Sequence, residues 1–265
     1  MAIDIEYAIN LNAILAVRAE DNYCSEMTTQ MLFGEYCRII EKKNGFYFVE
    51  NLLDKHTGWV AQNGLTKLTN EDLANLQSQP EIRVSTPMAE AFNLTNKTIL
   101  RLPLGSLIPN YNPDSSSFEI ADFRLQIHPS FISYLPGANK EGIIPTALAL
   151  QNTPYLNGGK TIFGMDCSGF VQVVFSINGY PLPRFSAQQS ATGSTIENIE
   201  QAIAGDLFFY RNKDVPSHSA IYIGNDKIIH AAEYVKTHEV DSATGNILNK
   251  HGEIESELYR IKRIG

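Results

Sequence analysis

Three cysteines in 265 residues, an odd number, form no closed disulfide framework, which is compatible with a reducing compartment. The chain lacks any apolar run of the roughly 20 residues that a membrane helix needs. Its opening, Met-Ala-Ile-Asp-Ile-Glu-Tyr-Ala, has neither the basic start nor the apolar stretch of a signal peptide. A cytoplasmic location is therefore expected, with a periplasmic or secreted one the alternative if a leader has been removed. Basic residues are in deficit: 21 Lys and Arg stand against 29 Asp and Glu, a net charge of −8. That balance argues against nucleic acid or an anionic membrane as the main partner. A hydrophobic content of 43% is enough for real cores in two or three small domains.

One cysteine stands apart from the others. Cys167 lies in Asp166-Cys167-Ser168-Gly169-Phe170, between polar and small residues. From Ser168 onward, Phe170, Val173, Val174 and Ile177 fall at the spacing of a core-facing helix, and Asn178-Gly179 is a stop signal. Cys167 is thus expected in the first turn, where unpaired N–H groups favour a thiolate and can donate to an oxyanion. Upstream, Gly158-Gly159 and Gly164 allow a close backbone approach.

Two histidines can complete a catalytic set. His218, Ala220 and Tyr222 alternate with Ser219, Ile221 and Ile223 as in a strand, Gly224-Asn225-Asp226 is turn chemistry, and Lys227–Ala232 reads as the returning strand. A three-residue loop places Ala220 opposite His230 and makes His218 and His230 diagonal neighbours on one face. A two-residue loop flips the parity and turns His230 away. The bland readings are a buried small hydrophobe for the cysteine and satisfied polar residues for the imidazoles. A zinc site from Cys167, His218, His230 and His238 is a further alternative, without the close ligand pairs that usually clamp a metal.

Residues 152–170 (Asn-Thr-Pro-Tyr-Leu-Asn-Gly-Gly-Lys-Thr-Ile-Phe-Gly-Met-Asp-Cys-Ser-Gly-Phe), His218–Gly224 and Ile229-His230-Ala231 resemble the signature of the NlpC-type cell-wall peptidases, papain-like cysteine enzymes of bacteria. The resemblance spans roughly residues 143–265. It implies Cys167 as nucleophile, His218 as base, His230 as the residue orienting His218, and Tyr155 near the oxyanion site. Asn157 departs from the family, which usually has Trp there. No metal or cofactor is implied.

Further upstream, Ala13–Arg18, Met31–Phe33, Tyr36–Glu41, Phe46–Glu50 and Gly58–Ala61 read as strands of a small barrel with Trp59 packed in it. Ser25–Glu35 and Thr57-Gly58-Trp59-Val60 resemble the bacterial SH3-like domain. Gln77–Ile82 reads as a linker, and Thr98–Ser106 and Phe118–Leu125 as strands of a second, degenerate SH3-like domain. The fold expected is α+β: two small SH3-like β-barrels, residues 1–75 and 76–142, before a papain-like domain, residues 143–265, whose cysteine-bearing helix packs on an antiparallel sheet.

The resemblance is nearest to the branch with two SH3-like domains that cuts γ-D-glutamyl–L-diamino acid bonds in peptidoglycan peptides. It implies a peptide partner, L-Ala-γ-D-Glu-diamino acid, whose free amine is read by an acidic residue, Glu26 or else Glu35. His56, where the branch usually has Tyr, and Asp166, Ser168 and Ser186 complete the implied substrate contacts. A carboxylate stranded by an N-blocked peptide penalises it, so such an enzyme acts on released fragments. A secreted lytic peptidase or amidase with the same triad, its SH3-like domains binding the wall, is the alternative. Cys24 and Cys37 are expected to be structural.

Overall fold

Alternating apolar residues make the first half of the chain a succession of short strands, since a period of two puts every second side chain on one face. The computed structural model describes residues 5–135, 137–212 and 215–265, and it divides into two compact units, Met1–Pro136 and Gly137–Gly265.

The first unit begins with seven strands: β1 (Glu6–Asn10), β2 (Ile14–Arg18), β3 (Met27–Leu32), β4 (Tyr36–Lys43), β5 (Phe46–Asn51), β6 (Thr57–Ala61) and β7 (Leu65–Leu68). They form one antiparallel sheet in the order β3-β2-β6-β5-β4-β1-β7 around Ala8, Val17, Met31, Cys37, Val49 and Val60. The sequence marks β2 to β6. It does not mark β1 and β7, which pair with each other across more than fifty residues. Trp59 packs against Phe48, ring centroids 5.2 Å apart.

A short helix follows, α1 (Asn70–Ser78), started by a reciprocal cap between Thr69 and Asp72. It buries only Leu73, so it has no apolar periodicity to read, and it occupies part of the expected linker. Next come β8 (Ile82–Val84), β9 (Met88–Asn93), β10 (Ile99–Pro103), β11 (Ser117–Ile120), β12 (Phe123–Ile127) and β13 (Ile132–Tyr134), paired as β10-β9-β12-β11 and as β13-β8. Phe118–Leu125, read from the sequence as one strand, is broken by a turn in which Ala121 takes φ +48°. Ile9, Leu11 and Phe33 share a core cluster with Val84, Leu102, Phe118 and Leu125. The core therefore runs across α1, and the two strand groups are packed as one body.

The second unit opens with α2 (Ile143–Ala149) and a small hairpin, β14 (Lys160–Thr161) with β15 (Gly164–Met165). Then come α3 (Cys167–Ile177), α4 (Ser186–Gln189), β16 (Ser194–Ile196), β17 (Leu207–Asn212), β18 (Val215–Gly224), β19 (Lys227–Ala231), β20 (Val235–Glu239), β21 (Ile247–Leu248) and β22 (Ile254–Arg263). The antiparallel sheet runs β16-β22-β17-β18-β19-β20, with β21 beside β22. α3 packs on β18 and β19. Every residue of it but Ser176 is buried. Among the described residues, no helix is long and apolar enough to cross a membrane.

Gly34 is where the two strand groups of the first unit come closest. It takes φ +80°, and a Cβ there would lie 2.6 Å from the carbonyl oxygen of Leu107. Gly34→Ala combines a left-handed strain with an overpacked contact. It is expected to lower stability by about 2–4 kcal/mol, seen as a fall of roughly 5–10 °C in the melting temperature by circular dichroism. An unchanged melting curve would show that this junction yields easily.

Candidate active site

Asp166 caps α3. Its Oδ1 accepts the Gly169 N–H at 2.7 Å, and its main-chain carbonyl accepts the Phe170 N–H at 2.9 Å. Its Oδ2 accepts the Gly158 N–H at 2.8 Å. Arg184, with 0% exposure, donates Nη1 to Oδ1 at 2.9 Å and Nη2 to Oδ2 at 2.5 Å. Ser168 Oγ donates to Oδ1 at 3.2 Å and accepts from Arg184 Nη1 at 2.9 Å. Both carboxylate oxygens are thus occupied inside the protein. Through these bonds the Asp166 and Ser168 side chains hold the helix start and its neighbouring loop. The glycines serve the same packing, since a Cβ on Gly169 would lie 2.3 Å from the Gly159 carbonyl oxygen.

Cys167 is therefore the first residue of a fixed helix. Its N–H and that of Ser168 have no acceptor among the described residues, the condition for an oxyanion donor. The thiol is buried, and its Sγ lies 3.7 Å from Ser186 Oγ and 4.0 Å from the Ser217 carbonyl oxygen. Burial pushes the thiol up, and the Asp166 charge adds to that. The hydrogen bond and charge of His218, with the Ser219 N–H, outweigh both and leave it below its ordinary value. Cys37 is the opposite case: buried without such a partner, it is pushed up to about 12. Cys24, expected to be structural, is exposed on the surface.

The histidines meet by a route the sequence reading did not foresee. The β18–β19 turn holds two residues, Asn225 and Asp226, with φ +52° and +55°, as in a type I′ hairpin. An even loop alone would turn His230 away. A bulge at Ile223 inserts one unpaired residue between Tyr222↔Ile228 and Gly224↔Lys227. Beyond it the register is Ile221↔Ile229, the one an odd loop gives. His218 Nε2 lies 2.7 Å from His230 Nδ1, and His230 is 3% exposed. Burial, with the nearby His218, His238 and Lys236, pushes His230 down to about 2, so it is a neutral imidazole at any working pH. No metal-binding group of three or more His, Cys, Asp or Glu occurs among the described residues.

Two other expected residues border the thiol. Ser186 Oγ donates to Ser219 Oγ at 3.2 Å. Tyr155 is 39% exposed, its N–H bonded to the Glu233 carbonyl at 3.0 Å and its hydroxyl donating to Asn157 Oδ1 at 3.1 Å. Burial, and the negative charge of Cys167 and Asp166, push Tyr155 up to about 12, so it remains a donor. Asn157, the departure from the family pattern, orients that hydroxyl. In the first unit, Glu26 is exposed and makes no ion pair among the described residues, while His56 Nε2 lies 3.0 Å from Thr28 Oγ1. Glu35 is buried and accepts from Asn51 Nδ2 at 2.9 Å, so its carboxylate serves the barrel. Sequence reasoning missed Arg184, Ser219 and the bulge. Only Arg184 had a signal, an arginine two residues before Ser186.

Residues 152–252 match the NlpC/P60 family, and residues 17–65 match the bacterial dipeptidyl-peptidase Sh3 domain. Residues 152–252 thus form an NlpC/P60 domain, and the protein is a cysteine peptidase. It is similar to the gamma-D-glutamyl-L-lysine dipeptidyl-peptidase of Bacillus subtilis (strain 168), 27% identical over 89% of this chain and 80% of the relative. Dipeptidyl-peptidase 6 of Lysinibacillus sphaericus is 26% identical over 85% of this chain and 87% of its own. The crystal structure of an NlpC/P60 family protein from Bacillus cereus ATCC 10987 shares the fold, with a TM-score of 0.83, 20% identity and coverage of 97% of this chain and 99% of the other.

Two outcomes are expected of the peptidase. Iodoacetamide at pH 6 should alkylate Cys167 first and leave Cys37 unmodified in the folded state, as read by peptide mass mapping. A Cys167 labelled no faster than Cys24 would contradict a lowered thiol. Arg184→Met should cost about 3–5 kcal/mol in chemical denaturation, because it strands the buried Asp166 carboxylate. If it raises KM with stability intact, Asp166 and Arg184 face substrate instead.

Proposed function

We propose that the protein hydrolyses the amide bond between γ-D-glutamate and an L-diamino acid in peptidoglycan-derived peptides that carry a free N-terminal L-Ala. The observation that carries this reading is the Cys167–His218–His230 chain, with its 2.7 Å imidazole contact, at the start of a buried helix. The substrate class is supported by the relative named a gamma-D-glutamyl-L-lysine dipeptidyl-peptidase, alike over most of both chains.

His218 Nε2 is taken by His230, so its Nδ1 is the nitrogen left for the thiol. Cys167 Sγ, as thiolate, attacks the γ-carbonyl carbon of D-Glu. The Cys167 N–H holds the oxyanion, joined by the Tyr155 hydroxyl once it turns from Asn157 Oδ1. The C–N bond breaks as the protonated His218 gives its proton to the leaving amine, and a γ-glutamyl thioester remains. Neutral His218 then takes a proton from water, hydroxide adds to the thioester, and the thiolate leaves. Ser186 keeps the sulfur in a polar setting, while the resemblance to the peptidase branch is what assigns Glu26 to the L-Ala ammonium and His56 as a further donor to the dipeptide. The role that follows is recycling of released wall peptides in the cytoplasm.

The test is incubation with L-Ala-γ-D-Glu-Lys and with the meso-diaminopimelate peptide, products read by mass spectrometry. Cleavage should yield L-Ala-D-Glu and the free diamino acid, and Cys167→Ala should abolish it. N-acetylation should lower kcat/KM by about 100-fold, as a stranded carboxylate costs roughly 3 kcal/mol, and Glu26→Ala should narrow that gap. Equal rates on free and acetylated peptides would overturn the recycling role.

A further inference from the structure

The mechanism uses two imidazoles, but the sheet carries three in a diagonal row. Continuing the β18–β19 register from Ile221↔Ile229 sets His230 opposite Ala220, diagonal to His218. The β19–β20 register pairs Ile228 with His238 and His230 with Lys236, so His238 is diagonal to His230 on the far side. Ring centroids are 5.0 Å apart for His218 and His230, and 5.6 Å apart for His230 and His238.

The proton positions along this row follow from partners at its two ends. His238 Nε2 lies 3.2 Å from the Leu248 carbonyl oxygen, which only accepts, so Nε2 carries the proton and Nδ1 holds a lone pair. At the other end, a base at His218 needs its Nδ1 lone pair toward Cys167, so its Nε2 proton points to His230 Nδ1. His230 Nδ1 is then the acceptor, and its proton sits on Nε2. His230 Nε2 and His238 Nδ1 are both buried, and neither has a partner among the described residues. One is a donor and the other an acceptor, on neighbouring rings.

We propose that His238 is a positioning residue for the triad: its Nδ1 accepts the His230 Nε2 proton, directly after a small rotation or through one bridging water, and so fixes the tautomer that His218 requires. Without that acceptor, His230 can move its proton to Nδ1. It then presents a donor to the His218 Nε2–H, and the base loses its orientation. The chain would read Leu248 carbonyl, His238, His230, His218, Cys167, with the Nε2 proton of each imidazole directed toward the carbonyl. The charged and titratable groups facing His230 are His218, His238 and Lys236. This inference rests on the thiol–imidazole reading of the site, but the tautomer can be measured without catalysis.

The experiment is a long-range 15N–1H correlation on the inactive Cys167→Ala protein at neutral pH, with assignments from single-histidine variants. His230 and His238 should both appear as Nε2–H tautomers. A His230 protonated on Nδ1 would overturn the proposal, whatever the enzyme cleaves. In His238→Leu the His230 signals should shift toward the Nδ1–H form, and in the active protein kcat should fall roughly tenfold or more with KM little changed. His238→Gln, whose carbonyl can still accept, should restore most of the rate. An unaltered His230 tautomer and full kcat in His238→Leu would reduce His238 to packing. Should that variant fail to fold, the tautomer in the Cys167→Ala protein decides alone.

Discussion

The Asp166 carboxylate is the fixed point of the catalytic unit. Two oxygens serve the first turn of α3, the loop at Gly158, the Ser168 hydroxyl and both arms of Arg184. A buried ion pair adds little net stability by itself, but an ungrouped charge at this depth would be costly, so these partners hold one another in place. The nucleophile next in sequence inherits that rigidity. The same carboxylate works against the thiolate electrostatically, and His218 has to overcome both it and burial. Charge complementarity to the thiolate therefore comes from the sheet, while position comes from the helix cap.

The two halves of the chain solve different problems. In the first unit the seven-stranded sheet has its own cluster around Val17, Met31 and Val60, and a second cluster spans both strand groups, with Ile9, Leu11 and Phe33 of one packed on Val84, Phe118 and Leu125 of the other. The shared cluster adds burial that neither group of short strands would have alone. In the second unit the core has to leave a polar seam. Ser186, Ser219 and the thiol sit among fully buried aliphatic residues, each with a polar neighbour close by.

How much of this was legible in the chain depended on whether the signal was local. The α3 start, with Asp166 as cap and Cys167 behind it, is written in five consecutive residues. So are the strands from β2 to β6, where alternation is clear. α1 escaped because it buries one leucine and is announced only by Thr69 and Asp72. β1 and β7 escaped because each gains its meaning from a partner far along the chain. Asp166 was identified as important, but its bond to Arg184 was not, since nothing near it in sequence reveals that Arg184 arrives from eighteen residues away. The histidine register was correct in outcome while its cause was different, a bulge in place of a longer loop.

That bulge ties hairpin length to chemistry. Ile223, Asn225 and Asp226 touch neither sulfur nor substrate in the mechanism, and the turn itself asks only for residues that accept left-handed backbone at positions 225 and 226. Their number is another matter. Loss of one backbone unit from this tip restores plain two-residue pairing, rotates β19 by half a period and sends the second imidazole to the opposite face. The constraint is one of parity: an odd change in the number of residues at the hairpin tip turns the second imidazole away, and an even change does not.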